Sequence, residues 1–196
     1  MSPIEVVLIV LVVLVVAAAV PAIWVVSRRR ALRSRFGPEY DRVVAEQQSR
    51  SAAEHELRER ERRHAELTLT PLSADSRRQY AADWEEIQAR FVDSPAEAVG
   101  AADELVTRLI AERGYPIGEY DDQLARLSVE HARTLTHYRD AHEIQLRNER
   151  GEASTEQLRQ AVVHYRALFA DLLGEDPVRQ SSDETRPDTP QDVPSR

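Results

Sequence analysis

A long apolar segment near the amino-terminal end, Ile4–Val26, constrains the fold of this chain more than any other part of the sequence. A membrane-spanning helix needs about 20 apolar residues at a rise of 1.5 Å each, and Glu5 is the only charged residue in the segment. Because a single segment in lipid must satisfy its backbone hydrogen bonds internally, a helix is the structure expected. The segment therefore predicts a single-pass transmembrane helix.

Basic residues follow this segment directly, whereas no arginine or lysine precedes it. The cluster consists of Arg28, Arg29, Arg30, Arg33 and Arg35. Because positive flanks of a span stay in the cytoplasm, we expect the bulk of the chain to be cytoplasmic, with export as the alternative. The cluster also predicts contact with anionic lipid headgroups, worth about 1 kcal/mol per arginine.

A cleaved signal peptide is the alternative to a permanent anchor. Such peptides have a basic leading region, an apolar core of about 7–15 residues and a small-residue cleavage site. The leading region here is not basic and the core is longer, although Ala17, Ala18 and Ala19 supply small residues. The chain has no cysteine, which excludes a lipoprotein anchor, a disulfide framework and a thiolate metal site.

Residues 37–70 predict a charged helical stalk. Gly37 and Pro38 break the helix that leaves the membrane. Glu39–Leu67 then has few apolar residues but several glutamate–arginine pairs four residues apart, each worth about 0.2–0.5 kcal/mol. These pairs are Glu54–Arg58, Glu56–Arg60 and Glu59–Arg63. Such a helix can stand in water over on the order of 40 Å. Pairing as a coiled coil is the alternative, although the heptad seam is broken.

Residues 71–174 predict a bundle of about four to five helices, because apolar residues recur there at helical spacing. The predicted helices cover about Asp75–Val92, Pro95–Arg113, Glu119–Leu127, Val129–Glu149 and the segment between Ser154 and Gly174. Ser94 and Ser154 predict capping boxes, and Ser128 predicts a cap for the fourth helix. The second of these helices has the broadest apolar face, so we expect it to lie at the centre.

Residues 175–196 are acidic, rich in proline and serine, and nearly devoid of large apolar side chains. They cannot bury enough surface to offset their ordering entropy, which predicts a disordered tail. The fold class is therefore all-α: a transmembrane helix with its basic flank (1–36), a charged helical stalk (37–70), a helical bundle (71–174) and a disordered acidic tail (175–196). The formal net charge of -8 argues against nucleic-acid binding.

Three short segments carry a resemblance to known sequences. They are Arg35-Phe36-Gly37-Pro38-Glu39-Tyr40-Asp41, Arg90-Phe91-Val92-Asp93, and Ser154-Thr155-Glu156-Gln157-Leu158-Arg159 with Tyr165-Arg166-Ala167-Leu168-Phe169. The chain resembles, over most of residues 35–173, a group of uncharacterised membrane-anchored or secreted helical proteins of high-GC Gram-positive bacteria. The resemblance implies an architecture and no catalytic activity, and either location fits it.

The histidines and carboxylates form no known ligand motif. His131 and His142 share a face of one predicted helix, but a zinc pair needs histidines four residues apart, and His137 lies away from that face. The acidic set Asp121, Asp122 and Glu130 lacks the order of a calcium loop. We therefore predict no catalytic, cofactor-binding or metal-binding residue, and expect His142 to be half-buried beside a carboxylate.

Two functions fit this organisation, and neither is an enzyme. The first is a protein-interaction or scaffolding module held at the inner face of the cell membrane. The second is a small-molecule sensing or binding domain, with the ligand between the aromatic side chains of Trp84, Phe91 and Tyr165. The order of anchor, charged stalk, compact domain and tail favours the first.

Overall fold

A computed structural model describes residues 3–174, apart from the side chains of residues 3, 5–10, 12, 14, 18, 21 and 22. Over these residues the chain is helical and has no strand, which confirms the all-α fold class. The helices are α1 (Pro3–Phe36), α2 (Pro38–Glu46), α3 (Arg50–Ala65), α4 (Ala74–Arg90), α5 (Pro95–Glu112), α6 (Tyr120–Leu127), α7 (Leu135–Glu149) and α8 (Thr155–Leu173). The predicted disordered tail, residues 175–196, lies outside the described residues.

Helix α1 contains the apolar segment and the arginines that follow it. Its described large apolar side chains up to Val26 are exposed, from 38% at Val25 to 76% at Ile4. Within the part of the chain that the structure describes, no helix combines the length and the apolar character needed to cross a membrane. The transmembrane helix predicted over Ile4–Val26 stays a prediction.

The helices divide into two compact units. The first unit contains Met1–Leu67 and Gly118–Leu135, and the second contains Thr68–Ile117 and Thr136–Arg196. Helices α1, α2, α3 and α6 therefore belong to the first unit, and α4, α5, α7 and α8 belong to the second. The segment that contains α4 and α5 lies between the two segments of the first unit along the chain. The four-segment division expected from the sequence stays a prediction.

The first unit packs α1, α2 and α3 around one apolar core. The core residues are Leu32, Phe36, Tyr40, Val43, Ala53, Leu57 and Val129. The single helix predicted over Glu39–Leu67 is wrong, because it breaks between Gln47 and Ser49. Gln47 is extended, and the Ser49 hydroxyl accepts a hydrogen bond from the amide of Ala52 at 3.1 Å. This cap marks the start of a second helix, α3, which packs against α1 and α2.

The ion pairs of α3 also differ from the expected local pattern. Glu56–Arg60 forms as predicted, at 2.9 Å. Glu54 contacts Arg29 of α1 instead of the residue four positions on, at 3.0 Å, and it accepts a hydrogen bond from the Tyr40 hydroxyl at 3.3 Å. The charges of α3 therefore link it to the neighbouring helices.

The second unit is centred on α5, as the sequence predicts, and α5 packs against both α4 and α8. Its inward face is fully buried along its length, at Ala98, Val99, Ala102, Leu105, Val106, Leu109 and Ile110. The capping box at Ser154 is confirmed, since the Ser154 hydroxyl accepts from the Gln157 amide while the Gln157 side chain accepts from the Ser154 amide. The box predicted at Ser94 is wrong, because that side chain makes no capping bond.

Helix α7 begins at Leu135 and not at Val129 as predicted. Ser128 ends α6 instead of starting a helix, and its hydroxyl donates to the carbonyl oxygen of Ala125 at 2.6 Å. Val129 then packs in the core of the first unit. Residues 129–134 are not helical, and α7 begins directly after them.

Candidate functional site

A cleft of about 240 Å³ lies between α4 and α8 in the second unit. We call it the α4–α8 cleft. Its lining residues recur at helical spacing on both helices, so that one face of each contributes. They are Ala81, Trp84, Glu85, Gln88, Arg166, Phe169, Ala170 and Leu173.

Buried apolar side chains form the floor of the cleft. The rings of Trp84 and Phe169 stack with centroids 4.7 Å apart and planes inclined by 23°, and each residue is 4% exposed. Leu173 adds a third buried apolar side chain. Stacked rings contribute about 0.5–1.5 kcal/mol beyond their buried area, so the floor is firmly held before any ligand binds.

Charged and polar side chains form the rim. Glu85 and Gln88 of α4 and Arg166 of α8 are exposed at its edge. Three residues before Arg166, and so on the same side of α8, Val163 is 56% exposed. The rim therefore offers both signs of charge and an adjacent apolar side chain to an occupant.

The aromatic residues proposed from the sequence do not form one site. Tyr165 is fully buried; its ring meets that of Tyr138 edge-on at 6.1 Å and its hydroxyl donates to Asp103 at 2.7 Å. Phe91 lies at the end of α4. Trp84 instead stacks on Phe169. The position of Phe169 in the apolar stripe of α8 predicted that it is buried, but not that it contacts Trp84.

A second cleft, of about 440 Å³, lies between α4 and α5 and is lined mainly by polar and charged residues. The hydroxyl of Tyr80 donates to Glu112 there at 2.8 Å. Burial, with the hydrogen bond and charge of Glu112, raises the pKa of Tyr80 to about 12. The residues that line this cleft include no stacked aromatic pair like that of Trp84 and Phe169, so it is a weaker candidate than the α4–α8 cleft.

The histidines singled out in the sequence lie in different places. His131 is buried within the first unit. His142 is half-buried in the second unit and its Nδ1 lies 3.5 Å from a carboxylate oxygen of Asp103, as expected. His137 is exposed, and its Nδ1 lies 2.9 Å from that of His164. His164 gave no signal in the sequence, because this contact joins two separate helices.

The acidic residues considered as a calcium site, Asp121, Asp122 and Glu130, do not form one cluster. Asp121 and Asp122 are exposed in the first turn of α6. A carboxylate oxygen of Glu130 lies 3.6 Å from Nε2 of His64 in the first unit. The prediction that this set forms no calcium site stays a prediction.

The basic cluster at the end of α1 is partly neutralised within the first unit. Its contacts with carboxylates are Arg29–Glu54 at 3.0 Å, Arg33–Asp41 at 3.1 Å and Arg35–Glu61 at 3.4 Å. The guanidinium of Arg28 lies over the ring of Trp24, 4.8 Å from its centroid. Arg28 and Arg30 are both exposed.

No protein-family model, no curated protein and no solved structure matches this chain.

Proposed function

We propose that this chain is a membrane-tethered scaffold whose second unit binds an amphipathic helix of a partner protein in the α4–α8 cleft. The observation that carries the proposal is the stacked floor of Trp84 and Phe169 beneath a rim of both charges. In helix-in-groove recognition, the apolar face of the partner helix packs against the floor of a groove. The polar residues of the partner helix then lie at the rim.

The size of the cleft favours a protein partner over a metabolite. Small-molecule sites usually measure about 300–1,000 Å³, whereas this cleft measures about 240 Å³. One or two anchoring side chains of a partner helix suit such a volume better than a whole ligand. The two helices that form the walls leave a groove into which the ridge of a third helix packs.

The membrane tether rests on the sequence and on the exposure of α1. The described large apolar side chains of α1 up to Val26 are exposed, and contiguous exposed apolar surface is typical of membrane or protein contact. Arg28 and Arg30 suit contact with anionic headgroups. We propose a single-pass anchor over Ile4–Val26 with the rest of the chain in the cytoplasm; a reporter fused to the carboxyl end should then be active only as a cytoplasmic reporter.

The binding proposal can be tested by site-specific photo-crosslinking of the full chain in membranes. A photoreactive amino acid replaces Gln88 at the cleft rim, and a matched control replaces Glu104, an exposed residue of α5. We expect one discrete protein adduct from position 88 and none from position 104. Ala170→Trp fills the cleft without removing a floor residue, and Arg166→Glu reverses a rim charge; both should lower the adduct yield.

Two results would count against the cleft as the binding site. The first is an adduct from position 88 that Ala170→Trp leaves unchanged, and the second is equal labelling from position 104. A metabolite that raises the melting temperature of the parent chain, but not that of Ala170→Trp, would instead favour the small-molecule alternative, because only binding to the folded state stabilises it.

A further inference from the structure

Three possible metal ligands converge on the surface of the second unit, away from the residues that line the α4–α8 cleft. His137 and Asp140 are three residues apart on α7 and therefore share a face, and His164 of α8 faces them. The Nδ1 atoms of the two histidines are 2.9 Å apart, and their rings stack with centroids 5.0 Å apart. One ligand atom of each of the three residues lies within 4.8 Å of the others, the one such group among the described residues.

The chemistry of this group suits metal binding. Each imidazole offers a ring nitrogen, and the neutral ring is the form that binds a metal. The carboxylate of Asp140 offsets part of the metal's charge.

We propose that His137, Asp140 and His164 bind one divalent transition-metal ion of the zinc type. Two imidazole nitrogens and one carboxylate oxygen form a ligand set typical of such ions, and three protein ligands leave a fourth tetrahedral position for water or an exchangeable ligand. The proposal is independent of any partner in the α4–α8 cleft.

The two histidine nitrogens need only a small movement, whereas the carboxylate oxygen of Asp140, within 4.8 Å of them, has to approach by up to about 1.5 Å. At a metal–nitrogen distance of about 2.0–2.1 Å, tetrahedral geometry places two ligand nitrogens about 3.3 Å apart. The observed 2.9 Å therefore has to widen by only a few tenths of an ångström. His137 and Asp140 are both exposed, so their side chains can make this adjustment without disturbing the core.

The site can be tested with Co²⁺, which reports its coordination by visible absorption. The full chain is purified in detergent without a polyhistidine tag and titrated with Co²⁺, followed by Zn²⁺ as competitor. We expect one Co²⁺ per chain with a tetrahedral absorption band, and displacement by Zn²⁺, since divalent zinc binds more tightly than cobalt to such ligands.

Ligand variants assign the ion to these residues. Loss of an outer-shell partner alone lowers metal affinity about 10–100-fold, so His137→Gln, Asp140→Asn and His164→Gln should each weaken Co²⁺ binding at least about tenfold. His55→Gln is the matched control, because His55 is an exposed histidine of the first unit, and it should leave binding unchanged.

Three results would overturn the proposal. They are binding by the parent chain no tighter than by the His137→Gln/His164→Gln double variant, an equal loss in His55→Gln, and an octahedral spectrum that none of the variants alters. Circular dichroism of each variant shows that it is folded. The spectrum and stoichiometry of the parent chain test the site without any substitution.

Discussion

Replacing Leu57 with alanine distinguishes a packed α3 from a free charged helix. Leu57 is fully buried in the core of the first unit. Burying a leucine side chain stabilises the folded state by about 1.5–3 kcal/mol, and the residual cavity raises the cost of a buried Leu→Ala change to about 2–5 kcal/mol. In a free helix the same change would be nearly neutral, because alanine has the higher helix propensity.

Hydrogen exchange of the α3 amides measures this difference directly in the full chain. At 1.4 kcal/mol per tenfold change, a loss of at least about 2 kcal/mol should speed exchange through subglobal opening about 30-fold or more. His55→Ala is the control, because it changes an exposed residue of the same helix. Surface changes of this kind stay within about 0.5 kcal/mol.

The result that would refute the reasoning is equal exchange in the two variants. It would mean that packing of Leu57 in the core with Phe36 contributes little to the stability of α3. The helix would then behave as the independent stalk expected from its charge pattern. Faster exchange in Leu57→Ala, confined to the peptides of the first unit, would instead establish that the charged segment is held by apolar packing.

Three further changes have expected outcomes. Gly114→Ala should destabilise the chain more than Gly151→Ala in thermal unfolding. Both glycines have positive φ, worth about 1–3 kcal/mol of strain, but only at Gly114 would the added Cβ meet a backbone carbonyl oxygen, at 2.6 Å. Ser154→Ala should cost about 0.5–2 kcal/mol, whereas Ser94→Ala should cost under about 0.5 kcal/mol in denaturant unfolding, because only Ser154 makes a capping bond. Burial lowers the pKa of His64 below its usual 6.5. As the pH falls below that value the unfolded chain takes up the proton first, so stability should fall, and His64→Gln should flatten this part of the profile.

Where local pattern decides the structure, the sequence predicts it well. The broad apolar stripe of α5 marked the centre of the second unit, and Ser154 with Gln157 marked the start of α8, because both signals lie within a few residues of one helix. Ser128 is the opposite case. A serine hydroxyl can cap a helix start or bond to a carbonyl at a helix end, and only the packing of Val129 decides between them.

Where the decisive partner is distant along the chain, the sequence could not supply it. Glu54 has a suitable arginine four residues on, yet it pairs with Arg29, because α3 folds back against α1. The metal-ligand group is hidden for the same reason. His137 has no helical partner at the zinc spacing, and His164 approaches it from another helix.

The interleaved course of the chain has a consequence for its synthesis. Val129 belongs to the same core as Phe36, yet α4 and α5 of the other unit lie between them along the chain. On the ribosome, α1, α2 and α3 therefore emerge before Val129, the last residue of their core. Their core cannot be completed while α4 and α5 are being translated. Since domains generally fold as units in order of emergence, we expect neither unit of the nascent chain to mature until translation has passed Leu135.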